Sequence, residues 1–132
     1  MPTKQSDVLS ADFLVKIAEE FGTPVYVYHA EKIKIQYEKL QKAFSKTDAR
    51  FFYACKALTN INVLKYINSL GCGLDTVSIQ EVQLGLKAGF DPKNIIFTPN
   101  CVDLQEIIAA KDLGVNINID NISILEQFGA KF

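Results

Sequence analysis

Phe51-Phe52-Tyr53-Ala54-Cys55-Lys56-Ala57-Leu58 is the stretch whose reading decides the fold. Residues 51–55 are aromatic or small and apolar, and they read as a buried strand with a lysine at its C-terminal end. Strand side chains alternate, so the pattern expects Phe52, Ala54 and Lys56 on one side and Phe51, Tyr53 and Cys55 on the other. A lysine following such a run falls on the rim of a parallel sheet, where α/β proteins keep their chemistry. Taken alone, it reads as a solvated rim residue.

The rest of the composition narrows the class. The chain has 132 residues, the size of one ordinary domain, and 48% hydrophobic residues are enough for a core. A net charge of −1 indicates neither a nucleic-acid surface nor an acidic tail. No apolar run approaches a membrane span, and the first residues lack the apolar region of a signal peptide. Cys55, Cys72 and Cys101 are odd in number and widely spaced, which fits neither a disulfide framework nor a metal knuckle. All three are expected to be buried free thiols, in a reducing cytoplasm.

Working outward toward the N-terminus, residues 10–21 predict an amphipathic helix. Ser10 is its cap, Phe13, Ile17 and Phe21 form its apolar face, and Gly22 ends it in the left-handed conformation. Val25-Tyr26-Val27-Tyr28 predicts a strand. His29 reads as a loop or cap residue. Residues 30–45 predict a second helix, with Ile33, Tyr37, Leu40 and Phe44 on one face.

Toward the C-terminus one unit recurs: polar cap, helix, glycine, strand. Asn60, Ser78 and Asp103 open helices, and Gly71, Gly89 and Gly114 close them. The strands that follow are expected at 73–77, 95–98 and 115–120, with a further helix over 121–128. This is α/β architecture with parallel strands, because each crossover helix returns the chain in the same direction. No G-x-G-x-x-G or G-x-x-x-x-G-K-[ST] motif is present, so the nucleotide-binding fingerprints are absent. The pattern leaves half a barrel and a doubly wound sheet both open.

Several of these stretches, in series, resemble one superfamily. Tyr53-Ala54-Cys55-Lys56-Ala57 resembles the Y-A-x-K-A signature of pyridoxal-phosphate enzymes with the alanine-racemase-type barrel. Gly73-Leu74-Asp75-Thr76-Val77-Ser78 through Glu81 resembles the second motif, G-x-D-x-x-S-x-x-E. Residues 95–100 and 115–120 resemble the next two strand motifs. Gly22-Thr23-Pro24-Val25-Tyr26-Val27-Tyr28 is similar to the opening of the diaminopimelate decarboxylases. Two departures, Ile79-Gln80 where many relatives carry two glycines and Pro99 where they carry one, put the shape of those loops in question.

The resemblance implies an α/β fold, the N-terminal half of a pyridoxal-phosphate-binding (β/α)8 TIM barrel, truncated. It divides the chain into an N-terminal helix and entry strand (residues 1–28) and the first βα units of the barrel (29–132). The rest of the barrel and a C-terminal β-domain would follow residue 132, so the segment alone is expected to be inactive and either unstable or self-associating.

The resemblance also implies that Lys56 is the catalytic lysine that bonds to pyridoxal 5'-phosphate. Ala54 and Asp75 join it as cofactor-binding residues, and no metal is involved. An apolar setting suits that role, since attack on an aldehyde needs the unprotonated amine. The implied reaction is decarboxylation of meso-diaminopimelate to L-lysine, by a homodimer with shared active sites. The alternatives are another decarboxylase or racemase of the superfamily, or a non-catalytic cofactor-binding module. Glu81 reads two ways, as a cofactor-site carboxylate and as the last residue of the capping box Ser78-Ile79-Gln80-Glu81. Asp103-x-x-Glu106 reads as a helix cap, and Asp120 as a strand-end residue.

Overall fold

The computed structural model describes residues 9–132. They fall into two compact units, divided between Leu40 and Gln41.

In the first unit, α1 spans Ala11–Phe21, and the Ser10 hydroxyl accepts from the Phe13 N–H at 3.2 Å, capping the first turn. Gly22 follows with φ 79° and ψ 177°. The positive φ demands glycine, yet the conformation is extended and not the left-handed helical one expected. Val25–Tyr28 is not a strand. β propensity records how well a side chain fits a half-buried pleat, and among the described residues no neighbouring strand provides one. Phe13, Leu14 and Phe21, expected on a buried face, are exposed. α2 (Ala30–Ala43) is capped by His29, whose Nδ1 accepts from the Lys32 N–H at 3.0 Å. That is the cap role its sequence position suggested.

The second unit carries the sheet. β1 (Phe52–Ala54), β2 (Gly73–Thr76), β3 (Ile95–Phe97) and β4 (Asn116–Ile117) lie side by side in sequence order, all parallel. Between them run α3 (Ile61–Ser69), α4 (Ile79–Lys87) and α5 (Leu104–Asp112), and α6 (Ile122–Lys131) follows β4.

Each crossover helix begins where a polar side chain takes up the free N–H groups of the first turn. Asn60 accepts from Asn62 and Val63, Ser78 from Glu81, and Asp103 from Glu106. Each is followed by a glycine at positive φ: Gly71 at 80°, Gly89 at 93° and Gly114 at 74°.

The core lies between the helices and one face of the sheet. Leu74, Thr76, Ile95 and Phe97 are fully buried there against Leu64, Val82 and Ile107. Gly85 lets α4 come close to the sheet, since a Cβ at that position would sit 2.5 Å from Leu74 Cδ2 and 3.3 Å from Ile95 Cδ1. At the floor of the other face, Gly73 makes room for the Phe52 ring. Arg50 stacks on that ring at 5.3 Å and donates to Asn94 Oδ1 at 2.9 Å.

Candidate functional site

The strand registers set one row of residues across the sheet. Ala54 is level with Asp75, Asp75 with Ile96, and Ile96 with Asn116. Their neighbours on β2 and β3, Leu74, Thr76, Ile95 and Phe97, point to the helices and are buried. The row itself points to the uncovered face, where Ala54, Asp75 and Ile96 are half-buried and Asn116 is exposed. Asn116 uses its amide to donate to the carbonyls of Lys93 and Ile95, at 2.9 and 3.0 Å.

Lys56 stands next to this row, but not as the last residue of a strand. β1 ends at Ala54, and Cys55–Ala57 forms a single 3-10 turn, closed by the Leu58 N–H donating to the Cys55 carbonyl at 3.1 Å. The expected alternation therefore stops at Ala54. The turn sends Lys56 outward, exposed at the C-terminal end of β1, and buries Cys55 completely. The Tyr53 hydroxyl, 3.5 Å from the Leu58 carbonyl, ties the strand to the far side of this turn.

Cys55 is buried, as expected, but sequence reasoning missed the carboxylates beside it. Burial first, then the Glu81 carboxylate, then that of Asp75 push its thiol up to about 11. Both acidic side chains are thus electrostatic neighbours of the residue that precedes Lys56. No spacing rule along the chain relates these positions. They meet because β1 and β2 are paired and α4 starts directly after β2.

Glu81 is also a capping residue. Its N–H donates to Ser78 Oγ at 3.2 Å, and its Oε2 accepts from the Val77 N–H at 2.8 Å. The carboxylate reaches one residue further back than a capping box requires, which fixes it at the mouth of β2. Asp103 is a helix cap, as its motif indicated, with Oδ1 accepting from the Glu106 N–H at 3.0 Å.

Two loops at the same rim differ from expectation. β4 is only Asn116–Ile117, because beyond it the chain keeps one ladder bond, from the Asn118 N–H to the Phe97 carbonyl at 2.9 Å. Cys101, expected to be buried, is exposed at φ 54° in the β3–α5 loop, past the end of the pleat that would have covered it. Cys55 and Cys72 are buried and form no disulfide. Pro99, Cys101, Asn118, Asp120, Asn121 and Ile124 line a cleft of about 130 Å³, where Asp120 is exposed. Among the described residues no cluster of His, Cys, Asp or Glu is placed to hold a metal ion, and no helix is long and apolar enough to cross a membrane.

A parallel sheet with helices on one face and polar groups gathered at its C-terminal rim is the architecture of the opening strands of a TIM-barrel enzyme. The family model for the pyridoxal-dependent decarboxylase, pyridoxal binding domain, matches residues 30–131, and the chain belongs to that family. It is 45% identical over 113 residues to the diaminopimelate decarboxylase of Methanothermobacter thermautotrophicus, a span of 84% of this chain and 26% of that protein.

Among solved structures, diaminopimelate decarboxylase of Methanocaldococcus jannaschii in complex with L-lysine superposes with a TM-score of 0.77 at 33% identity. That match covers 88% of this chain and 30% of the other. The lysine/ornithine decarboxylase of Vibrio vulnificus, complexed with putrescine, superposes with a TM-score of 0.83 at 28% identity, covering 94% and 35%. The chain spans about a quarter of the length of the curated relatives it matches.

Proposed function

We propose that the chain supplies the lysine-bearing part of a pyridoxal 5'-phosphate site, with Lys56 as the residue that bonds to the cofactor and Ala54 and Asp75 beside it. The observation that carries the proposal is the in-register row Ala54–Asp75–Ile96 on the uncovered sheet face, with Lys56 exposed at its edge. Ala54 ends at its Cβ and leaves room for a flat ring to lie along the row. Asp75 offers that ring a carboxylate from the adjacent strand. The residues present therefore fit the cofactor.

The bound cofactor supplies an electron sink for cleavage of a Cα–carboxylate bond. The chain's own residues have three tasks. Lys56 would hold the cofactor from the exposed turn at the C-terminal end of β1. Asp75 and Glu81 flank Cys55, so they place two carboxylates beside the turn that carries Lys56. Glu81 is held for this by Ser78 and the Val77 N–H. Cys55, kept protonated, adds no charge of its own to the cluster.

The reaction we propose is decarboxylation of meso-diaminopimelate to L-lysine and carbon dioxide, supported by relatives of that name at up to 45% identity. A lysine/ornithine decarboxylase reading is the alternative, on the strength of the Vibrio vulnificus structure. We assign residues 29–132 to the first βα units of the cofactor-binding barrel and residues 1–28 to a preceding helix and entry segment. The working assembly is a homodimer, placed in the cytoplasm in keeping with cysteines that form no disulfide.

The test is to titrate the chain with pyridoxal phosphate and follow absorbance at the blue edge of the visible spectrum. Saturable appearance of a band that Lys56→Ala removes is expected. A band of the same size in Lys56→Ala overturns the assignment.

A further inference from the structure

β1 leaves the sheet before β2 does, and a side chain fills the gap between them. Along β2 the N–H groups of alternate residues face β1. Gly73 donates to the Phe51 carbonyl, and the level pair Ala54 and Asp75 makes the Asp75 N–H the next in line. The one after it belongs to Val77. Had β1 run on as a strand, the partner of that N–H would be the Cys55 carbonyl. Instead the Cys55 carbonyl accepts from the Leu58 N–H at 3.1 Å and closes the Cys55–Ala57 turn.

The Val77 N–H, on a half-buried residue, does not go unpaired. It donates to Glu81 Oε2 at 2.8 Å. A capping glutamate at this position ordinarily reaches back to the N–H of the cap residue, which here is Ser78. Glu81 passes over it and takes the N–H one residue earlier, the one that β1 has released. Its own N–H donates to Ser78 Oγ at 3.2 Å, so the carboxylate is held from the first turn of α4. Its charge is felt at Cys55, the residue whose carbonyl it replaces.

We propose that Glu81 is a positioning residue for Lys56: by standing in for the Cys55 carbonyl on the Val77 N–H, it leaves that carbonyl free to close the turn that carries the amine. Two donors, Leu58 and Val77, compete for one acceptor, and Glu81 gives each its own. Without it, the Val77 N–H is left unpaired in a half-buried place, a penalty that draws the Cys55 carbonyl back into the ladder. β1 then extends to Lys56, level with Val77, and the turn opens. Glu81 needs an acceptor oxygen for this and not a charge, and no contact with the amine is required. The consequence for cofactor binding rests on the assignment of Lys56 made above; the exchange of acceptors in the backbone does not.

Amide hydrogen exchange of the 132-residue chain, read residue by residue by NMR beside Glu81→Gln and Glu81→Ala, tests the backbone step. Glutamine keeps an oxygen for the Val77 N–H and loses the charge; alanine loses both. In the parent and in Glu81→Gln, the Val77 and Leu58 N–H groups should both be protected. In Glu81→Ala, Leu58 should exchange about tenfold faster, the loss expected for one hydrogen bond. The same three chains titrated with pyridoxal phosphate should show parent affinity for Glu81→Gln and about tenfold weaker affinity for Glu81→Ala. An unprotected Val77 N–H in the parent overturns the proposal without any variant. So does unchanged Leu58 exchange in Glu81→Ala. A Glu81→Gln chain that loses affinity as Glu81→Ala does also overturns it, because the charge and not the hydrogen bond would then be at work. If no chain bonds the cofactor at Lys56 while the exchange pattern is as expected, the cofactor assignment fails and the positioning of the turn stands.

Discussion

Two glycines that occupy matching places in their helices respond to the same substitution with opposite signs. Gly85 and Gly129 each lie two residues before the last residue of α4 and α6. Replacing either by alanine gains about 0.5–1 kcal/mol of helix stability. At Gly129 nothing lies within 4 Å of the added methyl, so Gly129→Ala keeps the whole gain.

At Gly85 the methyl meets Leu74 Cδ2 at 2.5 Å and Ile95 Cδ1 at 3.3 Å, and both neighbours are fully buried. Overpacking of this kind costs about 1–3 kcal/mol. Gly85→Ala should therefore be net destabilised by up to about 2 kcal/mol, with the gap between the two variants about 1–3 kcal/mol. At a urea slope of about 1–3 kcal/mol per M, that gap separates their midpoints by roughly 1 M. Urea melts followed by circular dichroism, at equal chain concentration, measure it. Relief in the double variant Gly85→Ala/Leu74→Val would locate the strain at the Leu74 contact. A Gly85→Ala midpoint as high as that of Gly129→Ala would refute the claim that α4 is seated on the sheet through this glycine. It would also remove the physical basis for the fixed position of Asp75, Ser78 and Glu81.

Four further outcomes follow from the same geometry. Phe97→Ala empties a fully buried site between β3 and the helices and should cost about 3–5 kcal/mol, read from the same melts. Ser78→Ala removes the α4 cap and should cost about 1 kcal/mol. The third concerns Cys55, whose thiol is pushed from 9.0 to about 11 in the fold. Its contribution is full below pH 9 and is lost as pH rises from 9 toward 11, so the urea midpoint should fall across that window and fall less in Cys55→Ala. In timed alkylation at neutral pH, Cys101 should react well before Cys55 and Cys72, as its exposure requires.

What could be read in the sequence was local in origin. Asn60, Ser78 and Asp103 cap helices because a short polar side chain reaches its own first turn, whatever lies elsewhere. Gly71, Gly89 and Gly114 take positive φ for an equally local reason. The readings that failed were ones that depended on a partner strand or a covering layer, although β2 and β3 found theirs. Val25–Tyr28 has the composition of a strand and no strand to pair with. Cys101 follows a strand motif and lies past the end of the pleat. Phe13, Leu14 and Phe21 have the spacing of a buried face and remain exposed. At the site, Lys56 and Asp75 were legible as motif residues. The turn that swings Lys56 out and Cys55 in was not, because period-two alternation has no means of announcing where a strand stops. The pairing of Cys55 with Asp75 and Glu81 needed the β1–β2 register, which no single stretch contains.

Borohydride reduction of the chain loaded with one equivalent of pyridoxal phosphate, followed by peptide mass mapping, tests the central claim most directly. The account predicts that the reduced pyridoxyl group is recovered on Lys56, in preference to other exposed lysines such as Lys65, Lys87 and Lys93. A label spread evenly over the exposed lysines, or concentrated on one away from the rim of β1, would contradict it.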